Sequence, residues 1–393
     1  MKITDHRNRF FVLRVVCRFV FTSVILTSCT GNTTKYPSNL KTAETPIVSY
    51  AKRLKIVNTD GYSHVSVLNP WQGARDIAQE WYLFRSGEEI PYFIDTLKVI
   101  RVPVKKVVCM STTHLAMISA LGEAESVVGF SGTRFIFNDA LVQGVRRGEI
   151  REVGYEDNLN KELIVKLDPD LVMVYGIGSE SSGYIVKLRE MGVRVVYNAD
   201  YLENDPLGKA EWIRFIGALY CNEEMADSIF AGIEKEYNIL KSYISANTGE
   251  KPKVLLGLPF RDTWYISPGN SYISTLVGDA GGDYLWRDTE SSVSMPLGLE
   301  NVYMKAISAD YWLNTGSAGT RGEIATIDER LTRLNCFKTG NVFNNNKRTG
   351  KEGGNDYWEG GTLNPHIILK DIAAILHPDL FEGHELIYYR QLN

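Results

Sequence analysis

The sequence has few cysteines, little net charge and only one clear hydrophobic run, which is shorter than a membrane-spanning helix. Each shortage excludes a class of protein. Five cysteines occur in 393 residues, and the three after Cys29 stand far apart without a CxxC pair. They therefore provide no disulfide framework. The formal net charge is -4 and no long basic run occurs, which excludes nucleic acid as a partner.

Signature motifs of common enzymes are also missing. The sequence contains no HExxH, no GxSxG and no GxxxxGKS/T phosphate loop. Its histidines show no HxxxH pair, so no dedicated metal site is predicted. We therefore expect a binding protein with no catalytic residue and no cofactor, and keep a periplasmic enzyme as the alternative.

The hydrophobic run occupies residues 19–26 and follows several basic residues. It is about half as long as the ~20 residues that a membrane-spanning helix needs, so residues 1–28 are predicted to be a signal peptide. The sequence Leu26-Thr27-Ser28-Cys29 then resembles a bacterial lipobox, in which cleavage precedes a cysteine that is acylated. An ordinary secretory signal with a chance cysteine is the alternative.

Acyl chains on Cys29 would hold the protein at a membrane surface, since each buried CH₂ contributes ~0.8 kcal/mol. Residues 29–50 are rich in Thr, Asn, Pro and Lys without apolar periodicity, which indicates a lipidated tether. The sequence TGNTT after Cys29 lacks the acidic cluster of a surface-export signal. A periplasmic, lipid-anchored location is therefore favoured over exposure on the cell surface.

Short β-type runs alternate with helical periods from residue 105 onward, which predicts an α/β lobe with a mainly parallel sheet within residues 51–204. Residues 50–100 are interpreted as one or two strands added to this lobe. The predicted strands span residues 106–109, 127–130, 171–175 and 193–197, and the predicted helices span residues 114–121, 160–167 and 184–191.

A helical region is predicted over residues 205–246. Asp205-Pro206 supplies a capping residue and a proline at the first helical position, and only Cys221-Asn222 interrupts the apolar period that follows. A second α/β lobe is predicted over residues 247–393, with a closing helix that begins at Asn364-Pro365. The predicted fold has two α/β lobes of the parallel-sheet type, bridged by a long α-helix, with a ligand cleft between them.

Five segments follow one another in the order known from one family. They span residues 102–132, 160–174 (NKELIVKLDPDLVMV), 188–198, 264–282 and 298–313. In these segments the chain resembles the class III periplasmic substrate-binding proteins of ABC importers. The WE between glycines and the closing LKDIAAILHP resemble the iron-complex binders of Bacteroidetes-type bacteria.

The resemblance implies a lipoprotein that captures a ferric siderophore or haem and delivers it to an ABC permease and its ATPase; cobalamin is the alternative ligand. It also implies docking on the permease through one glutamate from each lobe. Glu180 resembles the first of these, whereas the region around Gly269-Asn270-Ser271 has no acid for the second. Charge reversal at Glu180 is expected to impair uptake and to leave ligand affinity unchanged.

Residues 353–361, GGNDYWEGG, place two aromatics and two carboxylates between glycine pairs. Aromatic faces suit a large metal complex, and glycines let a loop pass close to a ligand. We expect Tyr357 and Trp358 to face the cleft, and Glu359 or Asp356 to cap a neighbouring backbone or to contact the ligand. The alternative is that Trp358 fills the lobe core and Glu359 pairs with an arginine.

The other candidates follow predicted strands, where α/β sheets hold ligands. Arginine suits carboxylates and catecholates through paired hydrogen bonds. His114 has two interpretations, a ligand of haem iron or a cap or core residue. The ligand-binding candidates are Thr112, Thr113, His114, Arg134, Phe135, Tyr155, Tyr175, Phe260, Arg261, Trp264, Arg321, Tyr357, Trp358 and Glu359.

Overall fold

A computed structural model describes residues 47–155, 158–176 and 183–393. Its first element is an N-terminal sheet in the spatial order β1-β2-β3-β4, antiparallel except for the parallel β3–β4 pair. The strands are β1 (Leu54–Thr59), β2 (Tyr62–Leu68), β3 (Ala78–Arg85) and β4 (Val99–Val102).

The prediction of one or two strands within residues 50–100 is therefore wrong. Side chains of β3 alternate between two apolar surroundings, as a strand requires. Trp81 and Leu83 belong to the main core of the protein, whereas Phe84 packs with Ile94 and Val99 in a separate small core. A complete four-stranded sheet forms here, and residues on both faces of β3 are buried.

The N-lobe contains a five-stranded parallel sheet in the order β7-β6-β5-β8-β9. Its central strands are buried along their whole length, as is usual for a parallel sheet covered on both faces. The strands are β5 (Val107–Cys109), β6 (Val127–Phe130), β7 (Arg151–Glu152), β8 (Leu171–Val174) and β9 (Val195–Tyr197). The helices are α1 (Thr112–Ala120), α2 (Asp139–Arg146), α3 (Lys161–Leu167) and α4 (Gly183–Glu190).

The helical region contains α5 (Pro206–Ala210), α6 (Ile213–Tyr220) and α7 (Glu223–Asn247). The Asp205 side chain accepts hydrogen bonds from the backbone of Leu207 and Gly208, so it caps α5. Cys221 ends α6 in the left-handed conformation, with φ 54°. The predicted region is thus three helices, of which α7 is the long one.

The C-lobe holds a second five-stranded sheet in the order β12-β10-β14-β15-β16, parallel except for β16. Strands β11 and β13, which lie between strands of this sheet along the chain, form a separate antiparallel pair. The strands are β10 (Lys253–Leu256), β11 (Thr263–Ile266), β12 (Asp283–Tyr284), β13 (Met295–Gly298), β14 (Tyr311–Leu313), β15 (Val342–Asn344) and β16 (Arg390–Gln391). The helices are α8 (Tyr272–Asp279), α9 (Leu299–Ala306), α10 (Arg321–Ile327), α11 (Asn335–Lys338) and α12 (Pro365–Leu376).

The expected fold class is confirmed: two α/β lobes with mainly parallel sheets, separated along the chain by a long helix. Helix α7 is fixed to the C-lobe, because the Tyr237 hydroxyl donates to Asp279 of α8 at 2.7 Å. Within the described ranges, no helix combines the length and hydrophobicity needed to cross a membrane.

Candidate ligand-binding cleft

A cleft of about 330 Å³ lies at the carboxyl edge of the N-lobe sheet, where α/β sheets usually hold ligands. The N-lobe wall comes from the ends of four strands. The segment after β5 contributes Met110, Ser111 and Thr112, β6 and its following loop contribute Phe130, Ser131 and Phe135, and the loops after β7 and β8 contribute Tyr155 and Tyr175. The opposite, C-lobe wall consists of Gly353, Asn355 and Trp358.

The carboxylate of Glu152 forms hydrogen bonds with both loops that carry Phe135 and Tyr155. Glu152 accepts hydrogen bonds from the backbone amides of Gly132, Thr133 and Gly154 at 2.7 to 2.9 Å. Partial burial raises the pKa of Glu152, but these backbone donors outweigh it, so the net pKa is lowered. The two aromatic rings are thereby held on braced loops.

The aromatic rings of the N-lobe wall contact each other edge to face. The centroids of Phe135 and Tyr155 lie 6.3 Å apart at an interplanar angle of 75°. Gly132 has φ 84°, and a Cβ there would collide with the Tyr155 hydroxyl, so only glycine allows this approach. The guanidinium carbon of Arg134 lies 4.6 Å from the Phe135 ring centroid, which brings a positive charge to the side of the cleft.

The two adjacent aromatics of the glycine-rich segment take opposite positions. Trp358 is 55% exposed and lines the cleft. Tyr357 is only 4% exposed and contacts Tyr388 and Tyr389 edge to face, with centroids 6.1 and 5.8 Å away. Tyr357 therefore fills the C-lobe core, and only Trp358 of this pair can contact a ligand.

The glycine-rich segment also joins the two lobes. A Cβ on Gly354 would collide with the backbone carbonyl of Ile136, so this glycine lets the C-lobe segment lie directly on the N-lobe loop. The carboxylate of Glu359 accepts hydrogen bonds from the backbone amides of Phe137 and Asn138 at 2.7 and 2.8 Å. Of the two roles expected for Glu359, the structure shows the capping of a neighbouring backbone.

Burial is the main influence on the pKa of Glu359, the carboxylate that joins the lobes. Glu359 is only 3% exposed, and this burial raises its pKa to about 7 although the two backbone donors lower it. Asp356, the other acid of the segment, accepts from Arg348 Nε at 2.6 Å and from the Gly360 amide at 3.1 Å. The arginine partner therefore belongs to Asp356 and not to Glu359.

Three further candidates are buried away from the cleft. His114 is fully buried, and burial lowers its pKa to about 3, so its ring is neutral. Thr113 donates to buried Asp200 at 3.2 Å. Trp264 is fully buried and donates to the carbonyl of Leu256 at 3.0 Å, because it points inward from β11. These three side chains and that of Tyr357 therefore do not line the cleft.

The predicted contributions of Phe260, Arg261 and Arg321 are not found in the cleft that the described residues form. Phe260 and Arg261 are exposed and contact each other, with the guanidinium carbon 5.3 Å from the ring centroid. Arg321 donates to the carbonyl of Phe337 at 3.1 Å and so supports the fold of the C-lobe. Glu180 and Cys29 lie outside the described residues.

The sequence-based candidates omit several residues that line the cleft. Met110, Phe130 and Ser131 lie in β6 or directly after β5 and β6, so the rule for strand ends would have found them. Asn355 carries no such signal, because it lies in an irregular segment. No group of three or more His, Cys, Asp or Glu within the described ranges is placed to hold a metal ion.

The sequence model described as "periplasmic binding protein" matches residues 107–347. An uncharacterized lipoprotein of Methanocaldococcus jannaschii is 26% identical over 98% of this chain and 97% of its own length. A second uncharacterized lipoprotein of that organism is 26% identical over 88% of this chain and 87% of its own length.

Solved structures show the same fold. A periplasmic haem-binding protein from Pseudomonas aeruginosa superposes with a TM-score of 0.54 and 17% identity, over 74% of this chain and 98% of that one. A protein of an Fe³⁺-hydroxamate transport system from Saccharomonospora viridis gives a TM-score of 0.52 and 16% identity, over 70% of this chain and 94% of that one.

Proposed function

The chain belongs to the periplasmic binding protein family, and on that premise we propose that it captures an iron complex, a ferric siderophore or haem, in the cleft between its lobes. It then delivers the complex to an ABC permease and its ATPase. Cys29 carries the lipid anchor that keeps the protein at the membrane, outside the cytoplasm. The lipoproteins of Methanocaldococcus jannaschii that match nearly the whole chain support this anchor.

The observation that carries the proposal is the composition of the cleft walls. Phe135, Tyr155 and Tyr175 come from one lobe and Trp358 from the other. Aromatic rings present large rigid faces at a low entropy cost, which suits a flat or lobed chelate. The volume of about 330 Å³ lies within the range of roughly 300–1,000 Å³ for small-molecule sites.

The charge beside the cleft fits the same ligand class. Arg134 is exposed next to Phe135, where its guanidinium can pair with a catecholate, a hydroxamate oxygen or a propionate. Structures with this fold include a haem-binding protein and a protein of a hydroxamate system. Both kinds of iron complex therefore belong in the test, with cobalamin as the alternative ligand.

The test is a titration of the purified protein with haemin, a ferric hydroxamate, a ferric catecholate and cyanocobalamin. Of the seven tryptophans, Trp358 is the exposed one, and the other six are buried. Binding in the cleft should therefore quench the fluorescence of wild type more than that of Trp358→Phe. The metal-free siderophores are the matched controls, and they are expected to bind more weakly.

We expect dissociation constants in the micromolar range or below for one of the iron complexes, about -8 kcal/mol or stronger. Saturable binding of cyanocobalamin, without binding of any iron complex, would identify cobalamin as the ligand. Binding of none of the four would overturn the proposed function. Delivery is tested separately by Glu180→Lys, which should impair uptake in cells and leave the affinity unchanged.

A further inference from the structure

A second cavity, of about 460 Å³, lies between the N-terminal sheet and the side of the N-lobe formed by α4 and β9. It is larger than the ligand-binding cleft. The family match begins at Val107, so the sheet that forms one wall of this cavity lies outside the matched region. The proposed capture of an iron complex makes no use of it.

The floor of the second cavity is aromatic and rigid. Trp71, Trp81 and Tyr197 line it and are each at least nine-tenths buried. The ring centroids of Trp71 and Tyr197 lie 5.5 Å apart. The amide of Gln79 donates to the carbonyl of Val195 and accepts from the backbone of Tyr197, both at 2.9 Å, which clamps the sheet to β9. The cavity is therefore formed before any ligand arrives.

The rim of the second cavity is cationic. Among the described residues that line it, Lys98 and Arg194 supply positive charge and Glu80 is the one carboxylate. Glu80 accepts a hydrogen bond from Ser66 at 2.7 Å and lies beside His64. Arg194 is oriented by a hydrogen bond from Nε to the carbonyl of Val99 at 3.0 Å. An anionic group at this rim would lie near the positive charges of Lys98 and Arg194.

The apolar part of the lining extends from the floor to the rim of the second cavity. Leu97 is 82% exposed at the rim, where an apolar body would cover it. Together with the two indoles of the floor, Leu97 favours a ligand that has an apolar body.

We propose that the second cavity binds an anionic amphiphile, a carboxylate attached to an aromatic or alkyl body. The body lies on the indoles of Trp71 and Trp81 beneath Leu97, and the carboxylate lies at the rim beside Lys98 and Arg194. The N-terminal sheet thus gives this chain a second ligand site, separate from the cleft that the lobes form.

The test is isothermal titration calorimetry of the full chain with naphthoate and with dodecanoate below its micelle concentration. The first probe has an aromatic body and the second an alkyl body, so the two arms distinguish the classes of body. Naphthalenemethanol is the neutral counterpart. We expect micromolar binding of at least one carboxylate, and about tenfold weaker binding of the alcohol, since one lost charge pair is worth about 1.4 kcal/mol.

Two variants at the rim keep the test independent of folding, because Leu97 and Lys98 are exposed. Leu97→Asp and Lys98→Glu should each weaken binding about tenfold. The first matched control is Tyr92→Ser, since Tyr92 is 92% exposed and lines neither the cleft nor the second cavity. The second is Trp358→Ala in the cleft. Neither control should change the affinity.

Three results would overturn the proposal. The first is the absence of binding of both carboxylates at about 1 mM, which corresponds to less than about 4 kcal/mol of affinity. The second is equal affinity of Lys98→Glu and wild type. The third is loss of binding in Trp358→Ala with full retention in Leu97→Asp, which would place the probe in the cleft.

Discussion

Two carboxylates hold the same N-lobe loop, and they differ in burial and in the lobe that supplies them. Glu152 belongs to the N-lobe and binds the backbone amides of Gly132 and Thr133 at the start of the loop. Glu359 belongs to the C-lobe and binds the amides of Phe137 and Asn138 at its end. The first contact braces a wall of the cleft within one lobe, whereas the second joins the two lobes.

Their pKa values move in opposite directions although the hydrogen bonds are alike. Glu152 is exposed and its pKa is lowered, whereas the more deeply buried Glu359 has its pKa raised to about 7. Desolvation of the charge therefore decides the sign at the inter-lobe contact. The comparison predicts that the contact between the lobes, and not the N-lobe wall, weakens as the pH rises toward neutrality.

The largest expected effect is this pH dependence. The pKa of Glu359 is above its ordinary value of 4.5 in the folded protein, so its contribution to stability is fully present below pH 4.5 and is lost as the pH rises through about 7. The shift corresponds to about 3 kcal/mol of unfolding free energy. Glu359→Gln does not titrate, so relative to wild type it should gain about this much between pH 4.5 and 8 in urea denaturation.

Glu152→Gln is the matched control for that experiment. The folded-state pKa of Glu152 is lowered, so its contribution is present above pH 4.5 and is lost on acidification. Relative to wild type, this variant should therefore lose stability as the pH rises toward 4.5, and it should show no further change between pH 4.5 and 8, where Glu359→Gln gains stability. Parallel pH profiles for the two variants would contradict the comparison.

The next effect concerns the close approach of the lobes. A Cβ on Gly354 would collide with the carbonyl of Ile136, so Gly354→Ala should lower the unfolding free energy by about 2 kcal/mol. In Gly350→Ala, four residues earlier in the chain, the added Cβ meets its nearest atoms at ordinary distances of 3.6 and 3.9 Å. It should cost less than about 1 kcal/mol. Equal losses would mean that the lobes do not meet at Gly354.

A smaller effect is expected for ligand binding at the two walls. Tyr155→Ala removes a ring from the N-lobe wall and Trp358→Ala removes one from the C-lobe wall. Each should weaken binding of the iron complex about tenfold, or about 1.4 kcal/mol, in calorimetric titrations. The stability of Trp358→Ala should stay close to that of wild type, since the side chain is more than half exposed. Unchanged affinity in both variants would exclude this cleft as the site.

The smallest expected effect on stability comes from an exposed ion pair between the lobes. An ion pair between Arg146 of the N-lobe and Glu352, the residue before the glycine-rich segment, also joins the lobes. Its nitrogen and oxygen lie 3.7 Å apart, but both side chains are more than half exposed. Exposed ion pairs contribute roughly 0–1 kcal/mol. Glu352→Ala should therefore lower the unfolding free energy by less than about 1 kcal/mol, and a loss equal to that of Gly354→Ala would contradict the contrast.

The N-lobe wall was largely predictable from the sequence, because regular patterns define it. The apolar run Leu171–Val174 is unmistakable for a buried strand, and the residue after it, Tyr175, lines the cleft. The same rule found Thr112, Phe135 and Tyr155. It failed for Thr113 and His114, because the first turn of α1 carries them inward from the cleft edge.

The C-lobe wall was less predictable, because no period of 2 or 3.6 residues applies within an irregular segment. Tyr357 and Trp358 are neighbours of similar hydrophobicity, and Tyr388 and Tyr389, far along the chain, decide which of them is buried. Trp264 is buried because β11 alternates, with Tyr265 facing outward. Since Trp264, Tyr265 and Ile266 are all hydrophobic or aromatic, only the packed sheet shows which face is inside.

Locating the iron tests most directly whether the complex binds in the cleft between the lobes. A crystal of the protein with its iron complex, measured at the iron absorption edge, gives an anomalous difference peak at the metal. We expect one strong peak in the cleft, between Tyr155 of the N-lobe wall and Trp358 of the C-lobe wall. A peak anywhere else on the protein, including the second cavity, would contradict it.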